Sequence, residues 1–122
     1  MAVVRATAEP VEMHGFRFTP LASPSRGTTT LAMWTVTAPP GASSPRHSMT
    51  EEEVLLVQRG RVVAHVGDAS WELAAGDGVV VPPGEEFLLD NPFDEPADLL
   101  ACTTAGMRAR VGGAEITPPW AL

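Results

Sequence analysis

His47, Met49 and Glu53 stand at alternate positions of one stretch, PRHSMTEEEVLLVQRG, Pro45 to Gly60. Successive strand side chains point to opposite faces, so on a single strand these three would all face one way. An imidazole, a thioether and a carboxyl would then meet at one spot, and two chemistries suit them. As ligands, the imidazole and the carboxylate are N and O donors for a transition metal, and the thioether is a donor for Cu(I) but a poor one for harder ions. As proton carriers, His47 and Glu53 form a general acid–base pair, the carboxylate orienting the ring and stabilising its charged form. His47 and Glu53 are thus the candidate catalytic residues.

The other reactive side chains read more plainly. His65 in RVVAHV shares a face with Arg61 and Val63, while Val62, Ala64 and Val66 make the apolar face, so His65 is expected to point outward. His14 precedes the first expected strand and is expected to be exposed, with the barrel mouth as its other placement. Arg17 alternates with Phe16 and Phe18 and is expected in solvent. Glu52, Glu85 and Glu86 read as solvated, and Glu51 as a rim residue. Cys102, the only cysteine, lies in the apolar run DLLACTTAG and reads as a buried, inert thiol. A lone cysteine makes neither an internal disulfide nor a thiolate zinc cluster. All eight basic residues are arginine, so no lysine is available for Schiff-base chemistry, and no tyrosine is present. No serine sits in a nucleophile elbow, and no glycine-rich phosphate loop occurs.

These residues need a scaffold, and 122 residues with 44% hydrophobic content are one domain's worth of core. A net charge of −7 argues against nucleic acid and against an anionic membrane surface, both of which call for a positive face. No run approaches the roughly 18 apolar residues of a membrane span. The N-terminal stretch lacks a basic region followed by an apolar core, so the expected location is the cytoplasm.

Twelve prolines and eleven glycines cut the chain into short β-branched or alternating runs, with no long helical pattern. Strands are expected at 16–18, 28–38, 53–58, 61–66, 70–73, 78–82, 86–91, 98–104, 107–111 and 115–117, separated by turn signals such as RG, AGDG, PPG and NPFDEP. Such a series reads as an all-β sandwich or barrel. The terminal TPPWAL is too rich in proline for a central strand and should lie across the barrel, anchored by Trp120. In EVLLVQ, Leu55 and Val57 share one face and Val54 and Leu56 the other. A strand apolar on both faces wants a second layer, from the N-terminal segment or a partner subunit. A homodimer is expected.

The spacing of the glycines and prolines carries a resemblance. Gly41, His47, Met49, Glu53 and Gly60 fall at the intervals of the first motif of the cupin family. Gly76, Pro82, Gly84, Phe87 and Asn91 fall at those of the second. The chain therefore resembles a single cupin domain, with motifs at 41–60 and 76–91. That resemblance implies an all-β double-stranded β-helix, a jelly-roll-like barrel with one open end and a site on its inner wall. It also implies four metal-ligand positions, usually filled by two histidines and a glutamate of the first motif and a histidine of the second. Here those positions hold His47, Met49, Glu53 and Phe87, so two match and two do not.

One imidazole and one carboxylate fall short of the three or four protein ligands such metals want. No cofactor is expected. A weakly held divalent metal or Cu(I), on His47 and Glu53 with Met49 as further donor, is what the set could still take. The pocket is expected to be walled by Met49, Leu55 and Phe87, with Met33, Trp34 and Leu89 as further candidates, and to suit a small, partly apolar molecule. The expected function is a small-molecule-binding cupin with a degraded metal site, acting without metal as a dehydratase, isomerase or cyclase through His47 and Glu53. A metal-dependent cupin oxygenase and a non-catalytic ligand-binding or sensing module are the alternatives.

Overall fold

A computed structural model describes all 122 residues and contains twelve strands with two short 3-10 turns. The strands are β1 (Val11–Met13), β2 (Phe16–Ala22), β3 (Leu31–Ala38), β4 (Ser48–Met49), β5 (Glu53–Arg59) and β6 (Arg61–Val66). They continue with β7 (Ala69–Ala74), β8 (Gly78–Val81), β9 (Phe87–Asp90), β10 (Ala97–Thr104), β11 (Ala109–Val111) and β12 (Ala114–Ile116). Three antiparallel sheets result: a six-stranded one ordered β1-β2-β3-β10-β5-β8, and two three-stranded ones ordered β12-β11-β4 and β7-β6-β9. Their inner faces meet in one apolar core to which all three contribute, including Trp34, Leu99, Val62, Leu89 and Met49. The architecture is all-β, as expected. No helix is long and apolar enough to cross a membrane.

Alternation organises the walls. β10 reads buried at every second residue, Ala97, Leu99, Ala101 and Thr103, and β3 does the same at Ala32, Trp34, Val36 and Ala38. Two motif residues have plain structural reasons. Gly60 turns β5 into β6 with φ of +78°, and a Cβ there would lie 2.5 Å from the Pro96 carbonyl oxygen, so only glycine fits. Asn91 is fully buried and ties the NPFDEP loop, its amide donating to the carbonyls of Ala38 and Glu95 and its carbonyl accepting from Phe93 N–H.

Two strands lie outside the sequence expectation. β1 pairs with β2 through the two-residue turn His14–Gly15, both at positive φ, which is the hairpin geometry that matches strand twist. β4 is a two-residue strand whose Met49 pairs with Ala109 of β11. Strand β2 also runs past Phe18 through the buried Pro20, where a register shift absorbs the missing donor.

Candidate functional site

His47, Met49 and Glu53 do reach one place, but not on one strand. The chain breaks at Thr50–Glu52, leaving Met49 at the end of β4 and Glu53 at the head of β5. His47 joins through a bridge to Phe87, its N–H donating to the Phe87 carbonyl at 3.0 Å and its carbonyl accepting from Phe87 N–H at 2.7 Å. The Phe87 ring stands edge-on to the imidazole, 5.4 Å between centroids and 74° between planes. All four line a cavity of about 100 Å³ in which fourteen of twenty lining residues are hydrophobic.

Leu55 and Leu89 are on that lining as expected, and so is Trp34. Met33 is not. It is half-buried on the opposite face of β3, opposite Cys102 in the ladder, because Trp34 takes the inward phase and a strand cannot send neighbours the same way. Cys102 likewise sits on the outer face of β10 and is only half-buried, against the expectation of a buried thiol. Arg17 is exposed and pairs with Glu12. His65 points outward as expected, where it is held between Ser70 and Asp90. His14 takes the second of its two expected placements: it is exposed yet lines the cavity, which puts it at the mouth.

One wall, expected only as an anchor across the barrel surface, reaches the cavity itself. The C-terminal turn Pro119–Ala121 carries Trp120 into the cavity lining, where it stacks on Phe18 at 3.8 Å and 6° and tilts against Trp34. Its indole N–H is buried and has no hydrogen-bond partner within the protein. The sequence signal was Trp120 itself, a large aromatic in a tail that cannot be a strand; nothing local says which surface it covers.

The electrostatics differ from an ordinary carboxylate–imidazole pair. Glu53 is buried, and desolvation alone pushes its carboxyl from the usual 4.5 up to about 8. His47 is lowered from 6.5, first by desolvation; the charge of His14 acts the same way, while the Pro45 carbonyl and the charge of Glu86 oppose it. Neither shift owes anything to the other residue. The ring is oriented not by Glu53 but by the Pro45 carbonyl, 2.8 Å from Nδ1. A carbonyl only accepts, so Nδ1 carries the hydrogen and Nε2 is the basic nitrogen. The expected charge-stabilising pair is thus replaced by a neutral base and a neutral acid in one apolar chamber.

The same facts test a metal. Phe87 offers no donor, and its ring stands edge-on against the His47 imidazole. No group of three or more His, Cys, Asp or Glu side chains is gathered anywhere. The residues present do not make a ligand set of the N and O type.

A family model described as Cupin domain matches residues 34–103. Among solved structures, the polyketide cyclase RemF from Streptomyces resistomycificus is 16% identical, with a TM-score of 0.80 over 98% of this chain and 88% of that one. A predicted oxalate decarboxylase from Thermotoga maritima is 21% identical, with a TM-score of 0.74 over 84% and 97% of the two chains. A sugar phosphate isomerase of the cupin superfamily from Silicibacter pomeroyi is 21% identical, with a TM-score of 0.71 over 93% and 76%. At these identities the likeness is one of fold. No curated protein matches the chain.

Proposed function

The chain belongs to the cupin family, and from that premise we propose that it is a small-molecule-binding cupin acting as a metal-independent acid–base enzyme of the dehydratase, isomerase or cyclase type, with His47 as base and Glu53 as acid. The observation that carries this reading is the order of proton affinities inside one cavity, Glu53 raised to about 8 and His47 lowered below 6.5. Environments that push two titratable groups apart assign their roles. Between those values the carboxyl still has a proton to give and the imidazole a lone pair to use. No minor protonation state has to be populated first.

The reaction that suits them is proton removal beside a carbonyl, with proton delivery to oxygen. Nε2 of His47 takes the proton from carbon, and the Glu53 carboxyl protonates the carbonyl oxygen or a departing hydroxyl. The protein passes from two neutral groups to an imidazolium and a carboxylate, whose charges offset one another in the low-dielectric chamber. The substrate stays neutral throughout. The lining supports the same substrate class: its polar groups are those of His14, Ser44, His47 and Glu53 and the indoles of Trp34 and Trp120, with no arginine among them. An anion such as oxalate or a sugar phosphate would be buried there without a cationic side chain. Aromatic walls from Phe16, Phe18, Trp34, Phe87 and Trp120 favour a flat, unsaturated body. About 100 Å³ admits one ring-sized reacting group, any longer molecule extending through the mouth past His14.

The test is hydrogen exchange. A panel of neutral aryl ketones and cyclic enones is incubated with the protein in D₂O, and loss of the α-proton signal is followed by NMR, alongside ligand-binding shifts. Exchange that disappears in His47→Ala while binding persists is the expected result. Binding without exchange in the wild type, unchanged in His47→Ala, would make the barrel a non-catalytic ligand-binding module instead.

A further inference from the structure

The cavity lining holds a hydrogen-bond donor with nothing to donate to. Trp120 is 7% exposed, its ring walls the cavity, and its buried Nε1–H meets no acceptor in the protein. The ring is held in place from several sides. It stacks on Phe18, and Trp34 tilts against it with 6.4 Å between centroids and 59° between planes. Pro118 and Pro119 stiffen the turn that carries it, and the Ala121 N–H closes that turn on the Pro118 carbonyl at 3.1 Å. The Ser25 hydroxyl donates to the Leu122 backbone oxygen just beyond. An indole N–H lies in the plane of its ring, so the parallel Phe18 ring does not receive it. Acceptors stand in the same lining, Nε2 of His47 and the Glu53 carboxyl among them, and neither is bonded to it. A buried donor left unpaired costs stability, and one kept in a folded protein calls for a partner from outside the chain.

We propose that Trp120 is a specificity-determining residue of this cavity, its indole N–H taking an acceptor oxygen of the ligand other than the one Glu53 protonates. The preferred ligand is then a neutral, flat molecule with two acceptor oxygens, one of them the carbonyl beside the carbon that loses its proton. This assignment rests on the reading of the cavity as a site for neutral carbonyl compounds and narrows that class. An indole N–H donates only and holds its proton, so it selects an acceptor and rejects a hydrocarbon or a second donor at that spot. Its contact stays the same while protons move at His47 and Glu53, so it acts through binding. The size of the preference follows from the free protein. Because the N–H is already unpaired there, a ligand lacking the second oxygen leaves it no worse off. The preference is therefore the worth of one hydrogen bond gained, about tenfold in affinity. A site whose donors were paired before binding would discriminate far more sharply.

Matched ligands test it. Cyclohexanone is paired with its para-dione, and α-tetralone with the chromanone in which one ring methylene is oxygen. Each is titrated into the nitrogen-labelled protein, and the indole N–H signals of Trp34, Trp71 and Trp120 are followed by NMR. Trp71, 48% exposed and outside the cavity lining, is the internal reference. The oxygen-bearing member of each pair is expected to bind about tenfold more tightly, and to move the Trp120 N–H downfield relative to its partner. Trp120→Phe keeps an aromatic wall without the donor, and its two affinities should fall within about twofold of one another. Trp71→Phe should keep the preference. Should Trp120→Phe misfold, the wild-type shift decides, the Trp120 signal being assigned through its contact with the Phe18 ring. Equal affinities within both pairs overturn the proposal, as does a preference that survives Trp120→Phe. A Trp120 signal moved equally by both members overturns it too, and assigns the donor to water. Failure of all four ligands to bind instead overturns the reading of the cavity beneath it.

Discussion

Two histidine–carboxyl sets occupy opposite sides of the barrel wall, and their difference separates structure from function. Outside, Nε2 of His65 meets Oδ2 of Asp90 at 2.9 Å, Ser70 meets Nδ1 at 2.7 Å, and the Ser43 hydroxyl donates to the other Asp90 oxygen. The carboxylate only accepts, so Nε2 donates to it, and Nδ1 shares its hydrogen bond with the Ser70 hydroxyl. Every polar atom of that set is answered by another, and the set has nothing to offer a ligand. Inside, burial alone acts on the Glu53 carboxyl, and the only hydrogen bond of the His47 ring is to the Pro45 carbonyl. Burying polar groups without partners costs stability unless something else repays it. The outer set pins β6 to β7 and β9; the inner one is left open toward a cavity.

The largest effect that could break this contrast is on turnover. His47→Ala or Glu53→Gln should lower α-proton exchange by about a hundredfold or more, the usual worth of a positioned acid or base. His65→Ala and Asp90→Asn should leave it within about twofold. The pH profile sharpens the point: activity should rise as His47 loses its proton, below pH 6.5, and fall as Glu53 loses its own near pH 8. A profile set by the outer pair, or loss of exchange in His65→Ala with a folded protein, would reverse the assignment.

Stability comes next in size. Glu53 has its folded-state proton affinity raised, so the unfolded chain releases the proton first, from pH 4.5 upward, while the folded chain holds it to about 8. Between those values the unfolded state binds fewer protons, and the stability falls as pH rises. Glu53→Gln removes that dependence. Chemical denaturation should show it more stable than wild type by about 3 kcal/mol at pH 7, with little difference below pH 4.5 and a larger one above pH 8. His47 has the opposite sign, its lowered affinity costing stability as pH falls below 6.5. A Glu53→Gln protein no more stable at pH 8 than at pH 4, relative to wild type, would mean the carboxyl finds a partner or water.

Much of this was legible in the chain itself, for identifiable reasons. Glycines and prolines at fixed intervals mark turns that only they can make, as Gly60 does against Pro96, so the barrel follows from punctuation and alternation. The inward set His47, Met49, Glu53, Leu55 follows from parity even though a break interrupts the strand, because the three residues between Met49 and Glu53 leave an even step that keeps the phase. Met33 failed because Met33 and Trp34 are adjacent and both apolar; only the packed core chooses between them. Trp120 and the β1–β2 hairpin reach the cavity through tertiary closure, to which no local pattern speaks. The replacement of a charge-stabilising pair by a neutral base and a neutral acid is also tertiary, since burial and not sequence distance sets each proton affinity.

The smallest expected effect tests the outer set on its own terms. His65 and Asp90 are each roughly a quarter exposed, so solvent screens their attraction. His65→Ala should cost about 1 kcal/mol or less, and Ser70→Ala a few tenths. Double-mutant cycles of His65 with Asp90 should give a coupling in the same range, weakening with added salt. Should that coupling instead exceed about 3 kcal/mol, the outer set would be a desolvated pair like those of protein interiors. The contrast between a saturated outer set and an open inner one would then rest on hydrogen bonding alone and not on burial. Because the Glu53 result depends on burial and the His65 result on exposure, the two measurements fail independently, and only their joint success assigns the chemistry to the inside of the wall.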